Sequence, residues 1–140
     1  MANSLLAEKL AKIVHANQQD KAGKPYIEHL AFVANDVTPK DDDIIAVAWL
    51  HDSVEDTNVT LQYIRQIFGN TISEAIDAIS KRDNETYEDY LIRVKSNPIA
   101  RIVKLSDLKH NSDLNRLKQI TDKDLKRIDK YQKAIQFLKT

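Results

Sequence analysis

Four ionisable residues, His51, Asp52, Glu55 and Asp56, close the apolar run Ile44-Ile45-Ala46-Val47-Ala48-Trp49-Leu50. A run of that kind reads as buried helix, and charge carried to a buried helix end is costly unless something compensates it. A metal ion compensates a neutral imidazole set beside carboxylates. His29 upstream and Asp107 downstream are candidates to complete its coordination. The pattern points to a metal-dependent hydrolase.

Two imidazoles and two carboxylates form a mixed nitrogen–oxygen set suited to manganese, iron, zinc or magnesium. Such a set leaves positions for water and substrate. If His51 and Asp52 share one helix, they project about 100° apart, and both reach one ion only where other helices approach between them. Glu55 stands four residues after His51 and Asp56 four after Asp52, so each falls near its partner's face. Either carboxylate is placed to take a proton from an attacking water. Asn111, four after Asp107, can hydrogen-bond substrate or a water at the metal. Taken singly, each residue has a plainer use: histidines pair with carboxylates in ordinary structure, and a Glu-Asp pair at a helix end is commonly solvated. His15 and His110 are read as packing or supporting groups.

The elements that must position these residues are helical. Apolar residues recur at three and four, with little strand-like alternation. Leu5, Leu6, Leu10, Ile13 and Val14 mark a first helix, and Pro25 is placed in the first turn of a second carrying Ile27, Leu30, Ala31, Val33 and Ala34. Thr38/Asp41, Thr71/Glu74, Thr86/Asp89 and Thr121/Asp124 resemble capping boxes, the first opening the helix expected to contain His51-Asp52. Asn97-Pro98 reads as a cap and first residue of a helix running to Asp107, and Gly69 as the end of a helix begun near Thr60. The expectation is an all-α fold of seven or eight helices in a single domain over residues 1–140.

Lysine plus arginine and aspartate plus glutamate both number 21, so the net charge is +0 and a general nucleic-acid binder is disfavoured. A small anionic ligand is not. The chain has no cysteine, which removes thiolate metal sites, disulfides and cysteine nucleophiles together. No signal peptide or membrane span is legible, so cytoplasmic residence is expected. The oligomeric state is not legible.

Three segments resemble the HD-domain metal-dependent phosphohydrolases, most of all the hydrolase domain of the RelA/SpoT homologues. They are His15-Ala16-Asn17-Gln18 with Lys21, Gly23 and Pro25 to His29; Leu50 to Thr57; and Lys104 to Asp107 with His110-Asn111. That family removes pyrophosphate from the 3′ position of the alarmone (p)ppGpp. The resemblance implies one divalent metal, usually Mn2+, held by His29, His51, Asp52 and Asp107. It implies Glu55 and Asp56 as the groups that position and activate water, and Lys21 and Asn111 as nucleotide contacts. A small, hydrolase-only member is the expectation.

Departures fall outside the implied ligands. Asp20 replaces an arginine, Leu30 follows His29 where proline is common, and residues 108–114 differ from the family's run, with Lys109 a possible replacement cation at another angle. Lys81, Arg82 and Tyr87 are read as edging the pocket and compensating for Asp20, Arg82 as a substrate contact; a capped surface helix is the plainer alternative for that segment. The expected activity is hydrolysis of a nucleotide phosphate or pyrophosphate group, first of all the 3′-pyrophosphate of (p)ppGpp. Alternatives are a phosphohydrolase acting on another nucleotide and a non-catalytic nucleotide sensor.

Overall fold

The computed structural model describes residues 2–140 and is all-α, with no β-strand among them. The helices are α1 (Asn3–Val14), α2 (Ile27–Asp36), α3 (Asp42–Leu50), α4 (Ser53–Asp56), α5 (Leu61–Phe68), α6 (Asn70–Ile79), α7 (Tyr87–Ser96), α8 (Pro98–Asn111) and α9 (Asp122–Lys139). A 3-10 turn at Leu114–Arg116 separates the last two. Because α4 is a single turn, the longer helices match the expected number.

Helix α3 is the hub. It packs against α1, α2, α6 and α8, and Ile44, Ala46, Val47, Ala48, Trp49 and Leu50 are all buried. A helix apolar on every side is stable only when surrounded. Its alanines permit close approach, and α1 answers with Ala7 and Ala11 as its own buried residues. Leu30, Ile64, Ile72, Ile76, Val103 and Leu108 fill the space between the remaining helices. Each such side chain contributes roughly 1.5–3 kcal/mol by leaving water.

The helix ends show where local pattern sufficed. Thr86 accepts from the Asp89 amide, Asn97 from the Ile99 and Ala100 amides, and Thr121 forms a full capping box with Asp124. Gly69 ends α5 at φ +89°, a conformation open to glycine because it has no Cβ. Other expectations need correction. Asp41, not Thr38, caps α3, accepting from the Asp43 and Ile44 amides. Gly69 precedes α6 directly, which places Thr71 inside its first turn. Pro25 lies just before α2 rather than within it. Asp42 also caps α1 from a distance, its carboxylate accepting from the Asn3 and Ser4 amides at 3.0 Å each.

The correction that matters for the site concerns His51-Asp52. The pair does not lie inside a helix. Helix α3 stops at Leu50, His51 is its C-cap, and Asp52 (φ −103°, ψ 1°) leaves helical geometry before α4 begins. That break, in a sparsely allowed backbone region, lets two adjacent side chains face one point.

Candidate metal centre

His29 comes from the first turn of α2, His51 and Asp52 from the α3–α4 break, and Asp107 from the C-terminal half of α8. One ligand atom from each lies within 4.8 Å of every other. His29 Nε2 is 2.8 Å from Asp107 Oδ1, and His51 Nε2 is 3.2 Å from the same oxygen and 3.1 Å from Asp52 Oδ2. Ligands about 2.1 Å from one small cation sit about 3 Å from their neighbours, so these separations fit a shared ion.

The donor set fits as well. The Nδ1–H of His51 donates to the Ala48 carbonyl at 2.7 Å, which commits that nitrogen and leaves Nε2 turned toward two carboxylates. A bare lone pair facing two anions requires a positive charge between them, either a proton or a metal. Burial pulls the His51 pKa down, but the Asp52 charge and the Asp107 hydrogen bond outweigh it and raise it well above the ordinary value. The same two carboxylates that favour positive charge on His51 would favour a divalent cation at its Nε2. His29 is held on its other side by His110, with the two Nδ1 atoms 2.8 Å apart. Burial first and the Arg116 charge second lower His110 to about 4, so its ring is neutral at neutral pH and one nitrogen can accept.

Neighbouring groups hold the carboxylates. The Tyr26 hydroxyl donates to Asp52, and burial followed by the Asp52 charge raises the phenol's pKa, keeping its proton in place. Lys104 Nζ lies 3.0 Å from Asp107 Oδ2, and Asn111 Nδ2 donates to Oδ1 at 3.1 Å. Burial raises the Asp107 pKa, but the Lys104 charge and the two histidines hold it well below the usual range.

Glu55 and Asp56 follow on α4 and stand at the surface beside this cluster. Burial of the carboxyl first and the Asp52 charge next raise the pKa of each. Glu55 accepts from the Lys81 amide and Asp56 from Gln18 Nε2 at 3.2 Å.

Lys21 and Asn111 line one cavity of about 290 Å³, together with Tyr26, Arg116, Arg127 and Tyr131. Tyr26 and Asn111 belong both to its wall and to the metal cluster. Arg82 is elsewhere. Its guanidinium reaches Asp77 at 3.2 Å, in a depression that shares Glu55 and Lys81 but no residue of the first cavity. The cation beside Asp20 is Arg116, at 2.8 Å. Asp20 also accepts from the Ala22 and Lys24 amides, so it folds the loop that carries Lys21. Lys109 pairs with Asp36. Sequence reasoning assigned no role to Tyr26, Lys104, Arg116, Arg127 and Tyr131. Lys104 carried a signal, lying three residues before Asp107 on one helix face; Arg127 and Tyr131 are distant in sequence and had none.

The family described as HD domain matches residues 7–123 of this chain. The chain belongs to the HD-domain family. A probable GTP pyrophosphokinase of Mycobacterium leprae is 32% identical over 108 residues, which cover 69% of this chain and 14% of that protein. A guanosine-3′,5′-bis(diphosphate) 3′-pyrophosphohydrolase of Aquifex aeolicus is 31% identical over 111 residues, covering 72% and 16%. The Haemophilus influenzae protein of the same name is 28% identical over 115 residues, covering 73% and 17%. This chain thus spans 14% to 17% of the length of these relatives. A solved structure described as a metazoan ortholog of SpoT that hydrolyses ppGpp superposes with a TM-score of 0.80 at 19% identity, covering 99% of this chain and 85% of that one. That likeness establishes the fold. No helix among the described residues is long and apolar enough to cross a membrane.

Proposed function

We propose that this chain is a metal-dependent hydrolase of the 3′-pyrophosphate of (p)ppGpp. The observation that carries the proposal is the convergence of two imidazoles and two carboxylates within one ion's reach, beside a cavity whose wall includes Lys21, Arg116 and Arg127. The names of the Aquifex aeolicus and Haemophilus influenzae relatives support the substrate class.

His29, His51, Asp52 and Asp107 would hold the divalent ion; the mixed nitrogen–oxygen set suits several metals, and the resemblance to the RelA/SpoT hydrolase domain makes Mn2+ the one proposed. When bound, the ion supplies Lewis-acid polarisation of the phosphoryl group and lowers the pKa of water. The remaining work belongs to side chains. Tyr26 and Lys104 fix the two ligand carboxylates through hydrogen bonds. Glu55 and Asp56 orient the attacking water and take its proton, a role favoured by their raised pKa values. Lys21 and Arg127 meet the nucleotide's phosphates, the Tyr131 ring offers a face to its base, and Asn111 hydrogen-bonds the substrate. Arg82 acts at the outer edge, beyond Glu55. The substrate is a small nucleotide rather than a nucleic-acid polymer or a membrane surface.

Incubation of the purified protein with ppGpp and Mn2+ should release pyrophosphate. Failure with every divalent ion tried, despite tight nucleotide binding, would instead identify a sensor. A second reading, another nucleotide as substrate, is favoured by the carboxylates that occupy two of the cavity's guanidinium groups. Arg116 pairs with Asp20, and Arg127 with Asp124 at 2.7 Å. Among the described residues this leaves Lys21 as the cavity cation without an ion pair, which suits fewer phosphates. Faster turnover of a nucleoside monophosphate or triphosphate than of ppGpp in a Mn2+-supplemented panel would select that reading.

A further inference from the structure

The loop between α1 and α2 carries a hydrogen-bonded chain that the preceding mechanism leaves unused. His15, the C-cap of α1, is 1% exposed and its ring packs 5.4 Å from that of Tyr26. Its Nδ1 lies 2.7 Å from Gln18 Oε1, while its Nε2 is buried without a partner. Gln18 Nε2 donates to Asp56 Oδ2 at 3.2 Å. The directions follow from chemistry. A carboxylate accepts, so the Gln18 amide must turn its NH2 to Asp56 and its oxygen to His15, and Nδ1 must then be the donor. The backbone carbonyl of Gln18, distinct from its side-chain amide, accepts from the Tyr26 amide at 2.8 Å.

A buried histidine with one satisfied nitrogen and one orphan is a poor stabilising device, since the orphan retains its desolvation cost. The ring holds the Gln18 amide by the edge that reaches Asp56. Asp56 itself is exposed and sits in a one-turn helix, with no other side-chain hydrogen bond. Without Gln18 its carboxylate is free to rotate toward solvent.

We propose that Gln18, oriented by His15, is a positioning residue that holds the Asp56 carboxylate in the geometry needed to engage the attacking water. The inference rests on the proposed role of Asp56 and adds its means of alignment. Misplacement of a reacting group by an ångström can cost about 10²-fold, so the expected effect falls on kcat.

The test compares Gln18→Met, which preserves length without hydrogen bonds, with His15→Ala, His15→Asn and Asp56→Ala in the full chain with Mn2+ and ppGpp. Gln18→Met should lower kcat by about tenfold or more with KM and Mn2+ affinity unchanged, and should lower the thermal midpoint because it leaves His15 Nδ1 buried without a partner. His15→Ala should follow in the same direction. His15→Asn should restore much of the rate, because its amide nitrogen sits where Nδ1 did. If Gln18 acts through Asp56, the double variant Gln18→Met/Asp56→Ala is no slower than Asp56→Ala alone. Additive losses in that cycle, or a loss confined to KM, overturn the positioning role while leaving Asp56 in place. Undiminished activity of Asp56→Ala overturns the proposed role of Asp56 and the positioning inference with it. Loss of folding in Gln18→Met with normal turnover in His15→Ala also counts against it.

Discussion

Two polar clusters in this molecule invite opposite interpretations. At the α6–α7 corner, Arg93 donates to both Glu85 oxygens at 2.8 Å and to the carbonyls of Asp77 and Ser80 at 2.7 and 2.9 Å. Every donor there meets an acceptor. In the His29–His51–Asp52–Asp107 cluster, Tyr26, Lys104 and Asn111 hold the carboxylates, yet two imidazole Nε2 atoms still turn to carboxylate oxygens, at 2.8 Å for His29 and at 3.1 and 3.2 Å for His51. A satisfied network stabilises a fold, whereas an unbalanced one calls for a ligand. The number of charged residues does not separate the two clusters. The match of donors to acceptors does.

The sharpest way to break that comparison is to remove one member from each. Asp107→Ala or Asp52→Ala should abolish both metal binding and turnover, measured by Mn2+ titration and pyrophosphate release; retained stoichiometric metal would refute the ligand assignment. Glu55→Ala should keep the metal and lose about 10²-fold or more in rate, separating holding from activating. Arg82→Ala, at a side chain 58% exposed, should lower kcat/KM by about tenfold with metal retained, near the lower end for a charge-assisted contact. No change would return Arg82 to a purely surface role.

The satisfied cluster should respond in stability alone. Arg93→Ala strands Glu85 and two carbonyls and should cost about 2 kcal/mol, seen as a fall of roughly 4–8 °C in thermal midpoint, while Mn2+ affinity stays unchanged. The smallest effect concerns pH. Hydrogen bonds from Arg93 and from the Arg82 amide hold the Glu85 carboxyl at about 2, below its ordinary 4.5. Its contribution is therefore complete above about pH 4.5 and disappears as pH falls toward 2. Glu85→Gln should be less stable than the parent at neutral pH, and the gap should narrow across that window. A constant gap would show that the carboxylate's charge is irrelevant.

Much of the architecture was legible because helical periodicity and capping are local. The caps at Thr86, Asn97 and Thr121 and the stop at Gly69 depend on residues within one turn, and they appear as expected. The exceptions at Thr38 and Thr71 arise where another nearby residue, Asp41 or Gly69, holds the position. The cap of α1 by Asp42 and the pairing of Asp20 with Arg116 join residues far apart in the chain, and no local pattern announces them.

The chain's own order of residues specified helices, an apolar hub and a density of histidine and carboxylate at its end, since propensity and the expense of buried charge act over a few neighbours. Tertiary structure decided that the chain leaves helical geometry at Asp52, that side chains from α2, the α3–α4 break and α8 come within one ion's reach, and that Arg127 and Tyr131 join the cavity wall. Those outcomes depend on how rigid helices pack, and packing brings together atoms whose separation along the chain carries no information about their distance in space.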